Sequence, residues 1–188
     1  MKAPLFEFPS YQYEIKDWEF KKKGLLNRIN KQNFIRCEMH NQNYEVDRGT
    51  SGKNYLHYFR ELVYNELNEF CEEAKVTCKM TDCWTVRYQK GDYQHVHNHR
   101  GWGFSGLLFV EFDPEVHSPP CFVAPWQEPR TDTTSISPLS GVNEGSLFIF
   151  PSFCLHYVNP NQSRKQRVVT SFDLLPETPE HQTINKIV

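Results

Sequence analysis

The chain has 188 residues, a formal net charge of -2, and is 38% hydrophobic and 14% aromatic. That length suits one domain with a sizeable core, and the near-neutral balance gives no electrostatic case for nucleic acid or an anionic membrane as partner. No apolar run is long enough to span a bilayer. The start, MKAPLFEFPSYQYEIKDWEF, has charges and prolines where a secretory leader needs an apolar core. Both features imply a cytoplasmic protein whose six cysteines, none in a CxxC pair, stay reduced.

In chain order, LFEFPSYQYEI (5–15) alternates apolar and polar residues and predicts a strand. A weaker helix is predicted over 17–30. VDRGTSGKN (46–54) reads as a surface loop. The stretch 54–75 sets Leu56, Phe59, Leu62, Val63, Leu67 and Phe70 at helical spacing, with charges on the other face. From residue 78 strands dominate. They are predicted at CWTVRYQ (83–89), YQHVHNH (93–99) and FSGLLFVEFD (104–113), whose near-continuous apolar run implies burial on both faces. SLFIFP (146–151) and RVVTSFDLL (167–175) follow. Between them, 114–145 reads as irregular, with CFVAP as a candidate strand. The expectation is one α+β, mainly β domain: a helical preamble (1–77), a jelly-roll-like core (78–175) with the N-terminal helices packed outside, and a short tail (176–188).

The run QHVHNH (94–99) places three of eight histidines at alternate positions. Residues i and i+2 of a strand share a face, so His95, His97 and His99 project together. About 13 Å of backbone separates i from i+4, and metal–nitrogen bonds are about 2 Å. One ion is therefore reached by His95 with His97 or by His97 with His99, not by His95 with His99. A third ligand is expected from His156, just past the strand ending at Pro151 and placed to reach across a sandwich. His40, His57, His117 and His181 read as surface residues. Arg167, eleven residues after His156, opens a strand and shares a face with Val169 and Ser171. An arginine on an otherwise apolar inner face calls for a buried anion, and a carboxylate held bidentately is the natural one.

Three stretches, YQKGDYQHVHNHRGWGFSGLLFV (88–110), GSLFIFPSFCLHYVNPNQS (145–163) and RVVTSFD (167–173), together resemble the iron(II)- and 2-oxoglutarate-dependent oxygenases found in phage and bacterial genomes. The resemblance implies a double-stranded β-helix and iron held by a facial triad with open positions. It matches His97 to the first ligand, His156 to the distal ligand and Arg167 to the group holding the far carboxylate of 2-oxoglutarate. It sets Tyr88 where related enzymes hydrogen-bond the cosubstrate. Most relatives carry H-x-D or H-x-E where this chain has His99. Either His99 completes a three-histidine site, or it stands behind a site with two protein ligands. Asp173 is a second departure, standing where relatives often carry Asn. The implied reaction couples decarboxylation of 2-oxoglutarate to succinate with oxidation of a C–H bond, with Trp102 and Phe104 as candidate shields of the pocket. The implied partner is an unknown small-molecule or protein substrate. Two further readings share the fold: a cupin-like three-histidine dioxygenase needing no 2-oxoglutarate, and a non-catalytic phage jelly roll.

Overall fold

The structure is a computed structural model; it describes residues 8–38, 42–48 and 55–177. Its elements in order are β1 (Tyr11–Glu14), α1 (Trp18–Ile29), β2 (Ile35–Cys37), β3 (Tyr44–Val46), α2 (Leu56–Leu62), α3 (Tyr64–Glu73), β4 (Cys78–Tyr88) and β5 (Gln94–His97). They continue with β6 (Phe104–Glu111), β7 (Cys121–Glu128), β8 (Thr133–Pro138), β9 (Ser146–Pro151), β10 (His156–Val158) and β11 (Arg167–Pro176). Among the described residues the strands form two antiparallel sheets. One has seven strands in the order β1-β9-β6-β11-β4-β3-β2; the other has four, β5-β10-β7-β8. This is the expected jelly roll, mainly β, with helices on one face of the larger sheet.

Alternation along the central strands divides the core. On β6, Leu108 and Val110 face the helices and join Leu25, Ile29, Phe59 and Phe70. Leu107 and Phe109 face the second sheet and meet Phe148, Phe150 and Phe122. β6 is therefore buried on both faces, as its apolar run implied. β11 alternates likewise: Val168, Phe172 and Leu174 pack on the helical side, while Arg167, Val169 and Ser171 line the interior of the sandwich.

Several elements differ from the sequence expectation. The helix predicted over 54–75 is two helices, because Val63 (φ -102°, ψ 13°) turns the chain between them. β2 and β3 arise inside the helical preamble and extend the large sheet beyond β4, with Val46 paired to Val86. They are too short to carry a period of their own. β1 starts at Tyr11, after Pro9. Much of the stretch read as irregular is the β7–β8 hairpin, whose second strand is wholly exposed and so lacks the alternating apolar signal. All six cysteines are free thiols. No helix among the described residues is long and apolar enough to cross a membrane.

Gly106 lies opposite Phe172 in the β6–β11 register. A Cβ built there would sit 2.0 Å from the tip of the Phe172 ring. That ring is fully buried against Phe59, centroids 5.6 Å apart, and has nowhere to go. Gly106→Ala is expected to cost about 1–3 kcal/mol, seen as a melting temperature lowered by roughly 2–4 °C per kcal/mol. An unchanged melt would mean that the β6–β11 contact is looser than described.

Candidate metal and cosubstrate site

β5 and β10 are neighbours, and His97 is the register partner of His156. Directly opposed residues of an antiparallel pair carry their side chains on one face, about 5 Å apart. His156 thus meets His97 along one sheet, not across the sandwich as the sequence suggested, because it opens a strand where a turn was expected. The third imidazole arrives differently. β5 ends at His97, so His99 lies in the bend beyond it. The His99 and Arg100 amides donate to the Ser152 carbonyl (3.0 and 3.4 Å), and the Ser152 amide donates to the Gly103 carbonyl (3.0 Å). Gly103 has φ 86°, and a Cβ there would lie 2.6 Å from the Leu174 carbonyl, so the bend requires glycine. Ligand atoms of His97, His99 and His156 all lie within 4.8 Å of one another. Three donors on one face of an ion with about 2 Å bonds stand about 3 Å apart, so the rings would draw inward to hold one. His95 stays outside this group, its Nδ1 2.8 Å from the Val96 carbonyl.

Each of the three rings is oriented from behind. Nδ1 of His97 donates to the His95 carbonyl (2.8 Å) and Nδ1 of His156 to the Cys154 carbonyl (3.0 Å). Nδ1 of His99 donates to Asp173 Oδ1 (3.2 Å). With Nδ1 protonated, each Nε2 presents a lone pair, the form a metal needs. Burial lowers the His97 pKa to about 4 and that of His156 to about 3. Both are neutral at pH 7.

Asp173 is the residue whose role the sequence concealed. Its carboxylate is buried and also accepts from Ser105 Oγ (2.9 Å) and Arg100 Nη2 (2.6 Å). Burial pushes its pKa up, but the hydrogen bond from His99, with Ser105 and the Arg100 charge, brings it below the usual carboxylate value. A carboxylate is therefore present at this site, one hydrogen bond behind the histidine that replaces the expected H-x-D acid.

Arg167 is 1% exposed, paired with Tyr88 in the β11–β4 register. Its guanidinium lies 4.2 Å from the centroid of the Tyr88 ring. Nη1 donates to the Ser118 carbonyl (2.5 Å). Nε and Nη2, the two-pronged edge, are buried with no partner among the described residues. Tyr88 commits its hydroxyl proton to Gln94 Oε1 (2.8 Å), and burial raises its pKa to about 12. It therefore serves first as the platform beneath the guanidinium. Arg167, Tyr88 and the three histidines line one cavity of about 140 Å³, with Trp84 and Phe109 among its walls. Neither Trp102 nor Phe104 lines it: Trp102 is 54% exposed, and Phe104 packs on Phe70 in the helical core.

His117, read from sequence as a surface residue, is 4% exposed. Its Nδ1 accepts from the Asp113 amide (3.0 Å) and its Nε2 donates to the Lys165 carbonyl (3.1 Å). The same carbonyl accepts from Asn161 Nδ2 (2.9 Å), which also donates to the Tyr88 carbonyl (3.0 Å). These bonds tie the loop carrying Ser118 to the approach of β11. Its flanking prolines suggested a surface loop, and no local pattern marks such a clasp. His57 is exposed as expected; His40 and His181 lie outside the described residues.

Residues 82–173 match a protein-family model described as "Putative 2OG-Fe(II) oxygenase". Over that stretch the chain matches the 2OG-Fe(II) oxygenase family. The matched stretch holds all three clustered histidines, Arg167, Tyr88 and Asp173. No curated protein matches the sequence. Solved structures share the fold at low identity. A 2OG-Fe(II) oxygenase family oxidoreductase from Burkholderia pseudomallei aligns at 10% identity and TM-score 0.64, over 88% of this chain and 84% of that one. The epimerase SnoN of nogalamycin biosynthesis, solved with Fe3+, alpha ketoglutarate and nogalamycin RO, gives 10% and 0.67 over 88% and 78%. A viral collagen prolyl hydroxylase from Paramecium Bursaria Chlorella virus-1, solved with 2OG, gives 13% and 0.57 over 88% and 94%.

The residues of the site fit the two groups in the matched family's name. Three imidazoles, each held through Nδ1 with its Nε2 free of any protein partner, suit a divalent transition metal. The unpaired guanidinium edge suits a carboxylate. Protonation should oppose folding of the metal-free protein. Unfolded, His97 and His156 titrate near 6.5, and folded they titrate at about 4 and about 3, so between those values the unfolded chain binds more protons and stability falls as pH falls. Metal-free protein should therefore melt lower at pH 5 than at pH 7, with a flatter dependence in the His97→Gln/His156→Gln variant. An equal slope in that variant would assign the effect to other groups.

Proposed function

We propose that His97, His99 and His156 hold iron through Nε2, and that Arg167 holds the far carboxylate of 2-oxoglutarate through Nε and Nη2. The chain is then an oxygenase that hydroxylates a C–H bond of a prime substrate. The observation that carries this reading is the buried guanidinium edge without a partner, in the same cavity as three oriented imidazoles. A buried unpaired cation costs several kcal/mol, and a dicarboxylate relieves that cost on binding. When bound, iron with 2-oxoglutarate and oxygen supplies the oxidising power, and succinate and carbon dioxide are the products of the cosubstrate.

The chain's own groups do the positioning. Ser118 holds Nη1 and the Tyr88 ring supports the guanidinium from below, so the remaining edge faces the cavity. His117 holds Ser118 in place through its two hydrogen bonds. Asp173 keeps His99 in the tautomer that ligates, while its own charge is matched by Arg100. Phe122, Phe150 and Trp84 pack around the imidazoles and keep bulk water from them.

Anaerobically iron-loaded protein given 2-oxoglutarate and oxygen is expected to form succinate slowly even without prime substrate. His97→Ala and His156→Ala should lose it, and Arg167→Gln should weaken 2-oxoglutarate at least about tenfold. Iron retained without succinate formation would favour the three-histidine dioxygenase that needs no 2-oxoglutarate.

His117→Ala should weaken 2-oxoglutarate binding severalfold while leaving metal affinity unchanged, measured by calorimetry on Zn(II)-loaded protein. Unaltered 2-oxoglutarate affinity would make His117 a purely structural residue.

A further inference from the structure

A second guanidinium stands in the wall of the same cavity. Arg48 follows β3, at the mouth, with Cζ 4.1 Å from the centroid of the Trp84 ring. Trp84 in turn packs on His99, ring centroids 5.3 Å apart. Arg48 is thus one indole away from the histidine cluster. Its place in the fold is secured by Asp47, which is buried and accepts from Tyr55 Oη (2.6 Å) and the Thr85 amide (2.8 Å). The stacked guanidinium keeps its hydrogen-bonding edges in plane and available. Arg48 makes no ion pair with the described residues.

The charges of the cavity do not balance. Among the described residues its wall holds two guanidinium groups, Arg48 and Arg167, and no carboxylate. The nearby acids are engaged elsewhere. Asp173 stands behind His99 and is bonded to Arg100. Asp92 is gripped at both oxygens by Arg36 (2.5 and 2.8 Å). Asp47 points under β4 to Tyr55 and Thr85. On the proposed reading, a divalent metal and Arg167 bring three positive charges and the cosubstrate dianion removes two. Arg48 then adds another, in a partly enclosed site where such a field is focused. A third protein ligand with a carboxylate would have offset part of this; His99 does not.

We infer that the prime substrate carries an oxyanion (carboxylate, phosphate or sulfate) and that Arg48, laid on Trp84, is the subsite that receives it. This inference rests on the cosubstrate reading above. It assigns Arg48 to substrate selection: it sits at the entrance, whereas Arg167 sits at the buried end.

The test uses full-length Zn(II)-loaded protein. Calorimetry first establishes 2-oxoglutarate binding to the wild type. Ligand-observed NMR on the saturated complex then compares methanesulfonate with dimethyl sulfone, a neutral isostere; neither ligates zinc strongly. Methanesulfonate is expected to bind at least about tenfold tighter, with the preference lost in Arg48→Gln and partly kept in Arg48→Lys. A melting curve of each variant confirms folding. Equal affinities in the wild type, no methanesulfonate binding, or a preference that survives Arg48→Gln would each overturn the inference. If 2-oxoglutarate itself does not bind, the cosubstrate reading fails instead, and the charge count falls with it.

Discussion

A guanidinium that is 1% exposed and has two unpartnered nitrogens is the constraint around which this molecule is arranged. Such a group is unfavourable in an apolar sandwich unless its remaining contacts are good and an anion completes them. The support comes from three separate parts of the chain. Tyr88 supplies a ring from β4, Ser118 a carbonyl from the loop after β6, His117 the clasp that holds that loop, and Asn161 the bond joining the approach of β11 to the end of β4. None of them neutralises the charge.

β11 links this end of the cavity to the other. Its inner face carries Arg167, Val169, Ser171 and Asp173 at alternate positions. The arginine and the carboxylate that orients His99 are thus separated by a fixed length of strand. Its outer face carries Val168, Phe172 and Leu174 into the helical layer. The strand is central in the large sheet, between β6 and β4, and long register runs on both sides hold it. Rigidity at that position is what a site needs when it must hold a small dianion between two points.

The histidine cluster shows how much was legible before folding. The alternation of QHVHNH and the isolated His156 pointed to residues that the structure brings together, because a strand period is local. Which pair of the run would serve was left open by spacing alone. The end of β5 at His97 sets the grouping: the bend beyond, bonded to Ser152, swings His99 towards His97 and His156, while His95 remains outside. Asp173 was visible only as a departure from a family pattern, and its partner lies 74 positions away. His117 resembled a loop histidine because its two hydrogen bonds are to backbone groups, which sequence does not distinguish.

The amino-acid sequence by itself determined the class of fold and the candidate donors. Short-range periodicity, β-branched and aromatic strands, and the chemistry of three histidines and one inner-face arginine do not depend on what they meet. Tertiary structure alone decided the rest. The β5–β10 register put His156 beside His97, burial set two imidazoles neutral, and the long-range bonds of Asp173 and His117 chose tautomers and loop position. Those depend on contacts between segments far apart in the chain, whose geometry exists only once both sheets have closed on each other. The same closure places Arg48 and Arg167 in one cavity, although 119 positions of sequence separate them.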